Sequence, residues 1–85
     1  LPDLIDMPTI VIINGFRFFF VALDRGEPVH IHIEKNEAYA KFWLKPIRLA
    51  RSKGFRPHEL SKLRVIIEKQ EQIFVSKWHE FFTIK

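Results

Sequence analysis

Apolar positions repeat with a period near two through residues 9–45 and with steps of three, four and seven from residue 57 onward. Strands therefore come first and helices follow. Residues 9–13, Thr-Ile-Val-Ile-Ile, are β-branched throughout, Asn14-Gly15 comes next, and residues 16–24 resume the apolar run. Asn-Gly between two such runs is the strongest short signal for a two-residue hairpin, because both turn positions need positive φ. The turn sets Ile13 against Phe16 and Val11 against Phe18 on one side, and Ile12 against Arg17 and Ile10 against Phe19 on the other. Both sides are largely apolar, so this hairpin is expected to be covered twice.

Residues 24–28 read as a loop and residues 29–35 as the third strand, with Ile31 and Ile33 on one face and His30, His32 and Glu34 on the other. Asn36-Glu37 offers a second tight turn into residues 38–45. The register that matches apolar with apolar sets Ile33 against Ala40 and Ile31 against Phe42, which puts the two histidines on the face of Tyr39, Lys41, Trp43 and Lys45. Pro46 fits the first turn of a short helix, and Gly54 its left-handed stop. Pro57 opens a longer helix whose stripe runs through Leu60, Leu63, Ile67, Phe74, Trp78 and Phe81, widened by Ile66, Ile73 and Phe82. The expected fold is α+β: a four-stranded antiparallel sheet of two hairpins, followed by a short and a long C-terminal helix packed on one face.

Composition adjusts this picture in a few places. Of the 85 residues 47% are apolar, with nine Phe and two Trp, so a core is available without staples. There is no Cys, which removes disulfide scaffolds, thiol catalysis and Cys-based zinc sites together. The longest apolar run, residues 10–13, is far too short to span a bilayer, no signal-peptide pattern is visible, and the cytoplasm is the expected compartment. Residues 1–6 read as an N-terminal extension or expression remnant, ahead of a single α+β domain over residues 7–85. A net charge of +4 and a pI near 9.7 permit contact with nucleic acid or an acidic partner.

Candidate chemistry concentrates on the polar face of the third and fourth strands. His30, His32 and Arg17 have the side chains for acid/base and phosphate work in metal-independent RNA cleavage. His30 and His32 with Glu34 are the side chains a metal would use, but two imidazoles are too few for an ordinary zinc site, and no metal is favoured. Arg17, His30, His32, Tyr39, Lys41, Trp43 and Lys45 mix basic and aromatic groups as single-strand-binding surfaces do. A sheet layered on one side leaves Ile10, Ile12, Phe19, Val21 and Leu23 in need of cover, which marks them as interface candidates. Asp24 and Glu27 flank a Gly turn near His30, where turn chemistry accounts for them. No phosphate loop, nucleophile elbow or EF-hand pattern is present, and no cofactor is expected.

Met7-Pro8-Thr9-Ile10, Gly15-Phe16-Arg17-Phe18, Asp24, Glu27-Pro28 with His30-Ile31-His32, Ala40-Lys41-Phe42-Trp43-Leu44 and Trp78-His79-Glu80-Phe81 together resemble the small bacterial proteins grouped as domain of unknown function 4160. Val29 stands where members commonly carry a second Pro. The resemblance implies no catalytic residues. It implies a gene arrangement of the toxin–antitoxin kind, with a second small protein encoded alongside. The expected function is that of an accessory or toxin–antitoxin-like component that binds a protein partner or RNA through its sheet, as a homodimer or with a neighbouring gene's product. The alternative is a small His-dependent ribonuclease.

Overall fold

The computed structural model describes residues 7–83, so the reading of residues 1–6 lies outside the described residues. Five strands, β1 (Thr9–Ile13), β2 (Phe16–Phe19), β3 (His30–Lys35), β4 (Ala38–Leu44) and β5 (Ile47–Lys53), precede one helix, α1 (Pro57–Phe82). A single 3-10 turn, Ala22–Asp24, interrupts the connection between β2 and β3. The strands form one antiparallel meander in chain order. The α+β class and the C-terminal helix hold, while the expected four strands and two helices become five strands and one helix.

The hairpin turns follow from local chemistry. Asn14 and Gly15 sit at φ 53° and 82°, so Ile13 pairs with Phe16, Ile12 with Arg17 and Val11 with Phe18. A bulge at Ile10 then brings Thr9, and not Ile10, opposite Phe19, and Ile10 packs against the core. Asn36, at φ 54°, opens the second turn, and Ile33 faces Ala40 while Ile31 faces Phe42.

The segment expected as a short helix is β5. Residues 47–53 have too few apolar groups at helical spacing to bury a helix face, whereas Ile47 and Leu49 alternate as a strand does. Moreover, a seven-residue β4 left at the sheet edge would expose a full row of backbone donors and acceptors. A two-residue turn at Lys45-Pro46 pairs that edge instead, setting Leu44 against Ile47 and Trp43 against Arg48. Gly54 does adopt a left-handed conformation, φ 89°, but it ends a strand; a Cβ there would stand 3.1 Å from the Ala38 backbone.

Helix α1 begins with the Glu59 carboxylate accepting the Arg56 backbone N–H at 2.9 Å. Its buried side chains Leu63, Ile67, Phe74 and Trp78 lie against Phe18, Ile31, Ile33, Ala40, Phe42 and Leu44, all on one sheet face. Phe18 and Phe74 meet at 5.3 Å between ring centroids, and Phe20, just past β2, holds Trp78 edge-on at 5.4 Å. The opposite face carries no helix. There Phe19 is buried by its own chain, under the Arg17 guanidinium at 4.2 Å and beside the His32 ring at 5.3 Å, while Ile12 is 64% exposed.

Phe18→Ala removes a fully buried ring and is expected to lower unfolding free energy by about 3–5 kcal/mol. Ile12→Ala on the open face should stay within about 0.5 kcal/mol of the parent. Urea unfolding midpoints distinguish the two, and comparable losses would contradict this assignment of faces.

Candidate functional site

His30 and His32 lie two apart on β3 and so point to one face, opposite Trp43 and Lys41 of β4. The chain between β2 and β3 folds back on that face. Asp24 N–H bonds to Val21 O at 2.9 Å and Glu27 N–H to Asp24 O at 3.0 Å. Arg25 donates from Nη1 to the Phe82 carbonyl at 2.7 Å, fastening this segment to the last turn of α1. Asp24 Oδ2 then stands 2.7 Å from His30 Nε2 and 2.6 Å from His32 Nε2, with the two nitrogens 3.2 Å apart. His30 Nδ1 donates to the Pro28 carbonyl at 2.8 Å, and the Tyr39 hydroxyl lies 2.8 Å from His32 Nδ1. The His30 ring is wholly buried, with Trp78 at 4.7 Å and Trp43 at 5.6 Å. Lys41, also buried, ion-pairs with Glu27 at 2.7 Å.

Burial dominates the electrostatics. It raises the Asp24 carboxyl, but hydrogen bonds from His32 and His30 and the charges of both rings together outweigh that effect and hold it below the ordinary range. The His32 imidazole is lowered, chiefly by burial and further by the charges of His30 and Lys41, against the pull of Asp24. A neutral His32 then donates Nε2–H to Asp24 and accepts the Tyr39 O–H at Nδ1. That hydroxyl is itself kept protonated, because burial raises Tyr39 more than the neighbouring Arg51 lowers it.

The site differs from the set of residues expected to form it. Glu34, the carboxylate weighed beside the two histidines, is 2.8 Å from Arg17; the carboxylate that meets the histidines is Asp24. Asp24 was legible as a turn acid near His30, but only the fold-back of residues 20–28 brings it under both rings. Arg17 is committed to Glu34 and to Thr9 Oγ1 at 2.6 Å, and Lys41 to Glu27. Among the nucleic-acid candidates, Tyr39 and Trp43 are half-buried and Lys45 is exposed at the β4–β5 turn. They gain Arg48, Arg51 and Lys53, which face Trp43, Lys41 and Tyr39 across the sheet and are all exposed. These three were missed because residues 46–54 read as a helix. Of the interface candidates, Phe19 is buried, Ile10 and Val21 are half-buried, and Ile12 and Leu23 are exposed.

A five-stranded meander backed by one helix, with Asp24 against two buried histidines on its other face, defines a small α+β domain. The chain belongs to the family described as Domain of unknown function (DUF4160), whose model matches residues 15–79. No match was found among curated proteins or solved structures. Among the described residues, no helix is long and apolar enough to cross a membrane.

Burial of His32 sets a pH dependence. In the unfolded chain its imidazole takes up a proton as pH falls through about 6.5, whereas the folded ring resists protonation. The unfolded state then binds more protons, so the stability contribution is full above that pH and declines below it. Denaturant unfolding with chelator present is expected to show lower stability at about pH 5.5 than at about pH 7.5, with a smaller difference in His32→Gln. An identical slope in both proteins would refute this assignment.

Proposed function

We propose that the protein binds single-stranded RNA across the β4–β5 half of its open sheet face, as an accessory component of a toxin–antitoxin-like pair in the bacterial cytoplasm. One observation carries the reading. Arg48, Arg51 and Lys53 line the same face as Trp43 and Tyr39, and among the described residues no carboxylate ion-pairs with any of the three. Cations free of carboxylates hold phosphates, and aromatic rings that are partly accessible, as those of Tyr39 and Trp43 are, stack on bases without sequence preference. Lys45, at the adjoining turn, adds a fourth cation.

The ribonuclease alternative draws less support. His30 is 0% and His32 4% exposed, and the Nε2 atoms of both rings are turned onto Asp24. An acid/base pair must come within hydrogen-bond reach of the reacting group, and these rings are closed off from it.

Fluorescence anisotropy with labelled single-stranded RNA tests the proposal. Binding is expected at about 50 mM salt and to weaken steeply by about 200 mM. Trp43→Ala should lose about 1–3 kcal/mol of binding, and Arg48→Ala and Arg51→Ala should each flatten the salt dependence by about 0.7 in log–log slope. Lys69→Ala, on the helix, serves as the control. No binding at low salt, or binding indifferent to these changes, sinks the reading, and RNA cleaved by the parent but not by His32→Ala would favour the ribonuclease instead.

A protein partner is the second reading, favoured by the exposure of Ile12 at 64% and Leu23 at 67%. These are the residues on which a second copy, or the product of a neighbouring gene, would sit. Sedimentation of the parent and of Ile12→Asp, alone and with the neighbouring gene's product, is expected to show association that the substitution weakens. A monomer under every condition would reject it.

A further inference from the structure

We propose that Asp24, His30 and His32 form a binding site for a divalent first-row transition-metal ion, zinc foremost. This inference does not rest on the RNA reading. Three ligand atoms, one carboxylate oxygen and two imidazole nitrogens, converge from two separate segments of the chain, all within 4.8 Å of one another. Imidazole with carboxylate is a donor set that suits zinc, iron, cobalt or nickel more than calcium or magnesium.

The hydrogen bonds around the cluster sharpen the case. A backbone carbonyl only accepts, so the 2.8 Å contact of His30 Nδ1 with Pro28 O fixes the proton on Nδ1. A neutral His30 therefore presents a bare Nε2 lone pair to the Asp24 carboxylate at 2.7 Å, an acceptor facing an acceptor. A proton, on His30 or on Asp24, or a cation must lie there. Both rings also have a partner at the nitrogen turned away from the cluster, Pro28 O for His30 and the Tyr39 hydroxyl for His32. That is how ligating histidines are oriented, with the far N–H held by an oxygen while Nε2 takes the metal. In the metal-bound state His32 carries its proton on Nδ1 and donates it to Tyr39.

Charge and size agree. Asp24 and Glu27 bring two negative charges to the cluster against one positive charge from Lys41, which leaves an excess negative charge for a dication to neutralise. A tetrahedral ion with bonds of about 2.0–2.1 Å separates its ligand atoms by about 3.3 Å. The two nitrogens, 3.2 Å apart, already match, and the carboxylate, at 2.6 and 2.7 Å, has to withdraw by only about half an ångström or slightly more. Asp24 ends the 3-10 turn between β2 and β3 and its side chain is 15% exposed, so it is the least buried of the three and the one an ion meets from solvent. Three protein donors leave a fourth position for water or an incoming ligand.

The untagged full chain, stripped with chelator and desalted, is titrated with Zn2+ and with Co2+ by calorimetry and visible absorption. One ion per chain is expected, with the absorption of a four-coordinate nitrogen–oxygen cobalt site that Zn2+ displaces. His32→Gln and Asp24→Asn should abolish stoichiometric binding, and Tyr39→Phe, which removes only the partner behind His32, should weaken it about 10–100-fold. His58→Ala and His79→Ala, on the exposed side of α1, should leave it unchanged. If Asp24→Asn does not fold by circular dichroism, His32→Gln and Tyr39→Phe carry the test. Failure of the parent to retain either ion at micromolar concentration would overturn the proposal and leave protons alone holding the cluster. Binding that survives in the folded cluster variants would overturn it equally, in favour of the exposed histidines.

Discussion

The burial of two imidazole rings side by side on β3 is the constraint on which the rest of the molecule turns. Buried rings with free polar atoms are unfavourable, and among the described residues none of their nitrogens lacks a partner. Satisfying them recruits Asp24 and Pro28 from the β2–β3 connection and Tyr39 from β4. That requirement fixes the path of residues 20–28, which would otherwise be an exposed loop. The path in turn reaches the helix: Arg25 bonds the Phe82 carbonyl where the helix leaves an unsatisfied acceptor, and Trp78 packs against His30. The cluster thus joins strand, loop and helix terminus at one end of the sheet.

The two faces of the sheet obey different rules. The helix face is an apolar packing problem, met by Phe18, Ile31, Ile33, Phe42 and the stripe of α1. The open face divides along its width. Over β2 and β3 its charges are internally committed, Arg17 to Glu34 and the histidines to Asp24, with Lys41 of β4 likewise held by Glu27. Over the β5 side, among the described residues, none of the cations is ion-paired with a carboxylate. A bulge produces this asymmetry: Lys41 pairs with Arg51 and Phe42 with Leu49, so Ala50 is the additional residue. In a regular strand Arg48 and Arg51, three apart, would point to opposite faces. The bulge turns both to the face of Trp43.

The sequence made the second hairpin legible down to the register, and the first from the turn as far as Val11, where the bulge at Ile10 breaks the expected pairing, because Asn-Gly and Asn-Glu turns and a period of two act over a few residues. The helix stripe was legible for the same reason, apart from Ile73, which is exposed. The fifth strand was not, since Pro46 and Gly54 suit a helix start and stop as well as they suit two turns, and the deciding factor, the unpaired edge of β4, lies outside the segment itself. The cluster was half legible. His30 and His32 announce a shared face by spacing, whereas Asp24 reaches them only through a loop whose course depends on Arg25 and Phe82, residues 57 positions apart. Glu34, nearer in sequence and on the correct face, goes to Arg17, because their strands place them as direct partners.

The same pairing logic connects the buried cluster with the open surface through Tyr39. Its hydroxyl meets His32 Nδ1, while the Arg51 guanidinium lies over its ring at 5.8 Å. A side chain held at its tip by the cluster presents its ring at a fixed angle, and a ring fixed in advance loses less entropy on stacking than a free one. The charge on Arg51 works on the phenol in the opposite sense to burial, so surface and cluster are also in electrical contact. Any change in the proton position on His32 alters which partner donates in the bond to Tyr39, and that change is felt one residue away from the cations of β5. The polar interior and the basic surface therefore meet in one aromatic side chain, Tyr39.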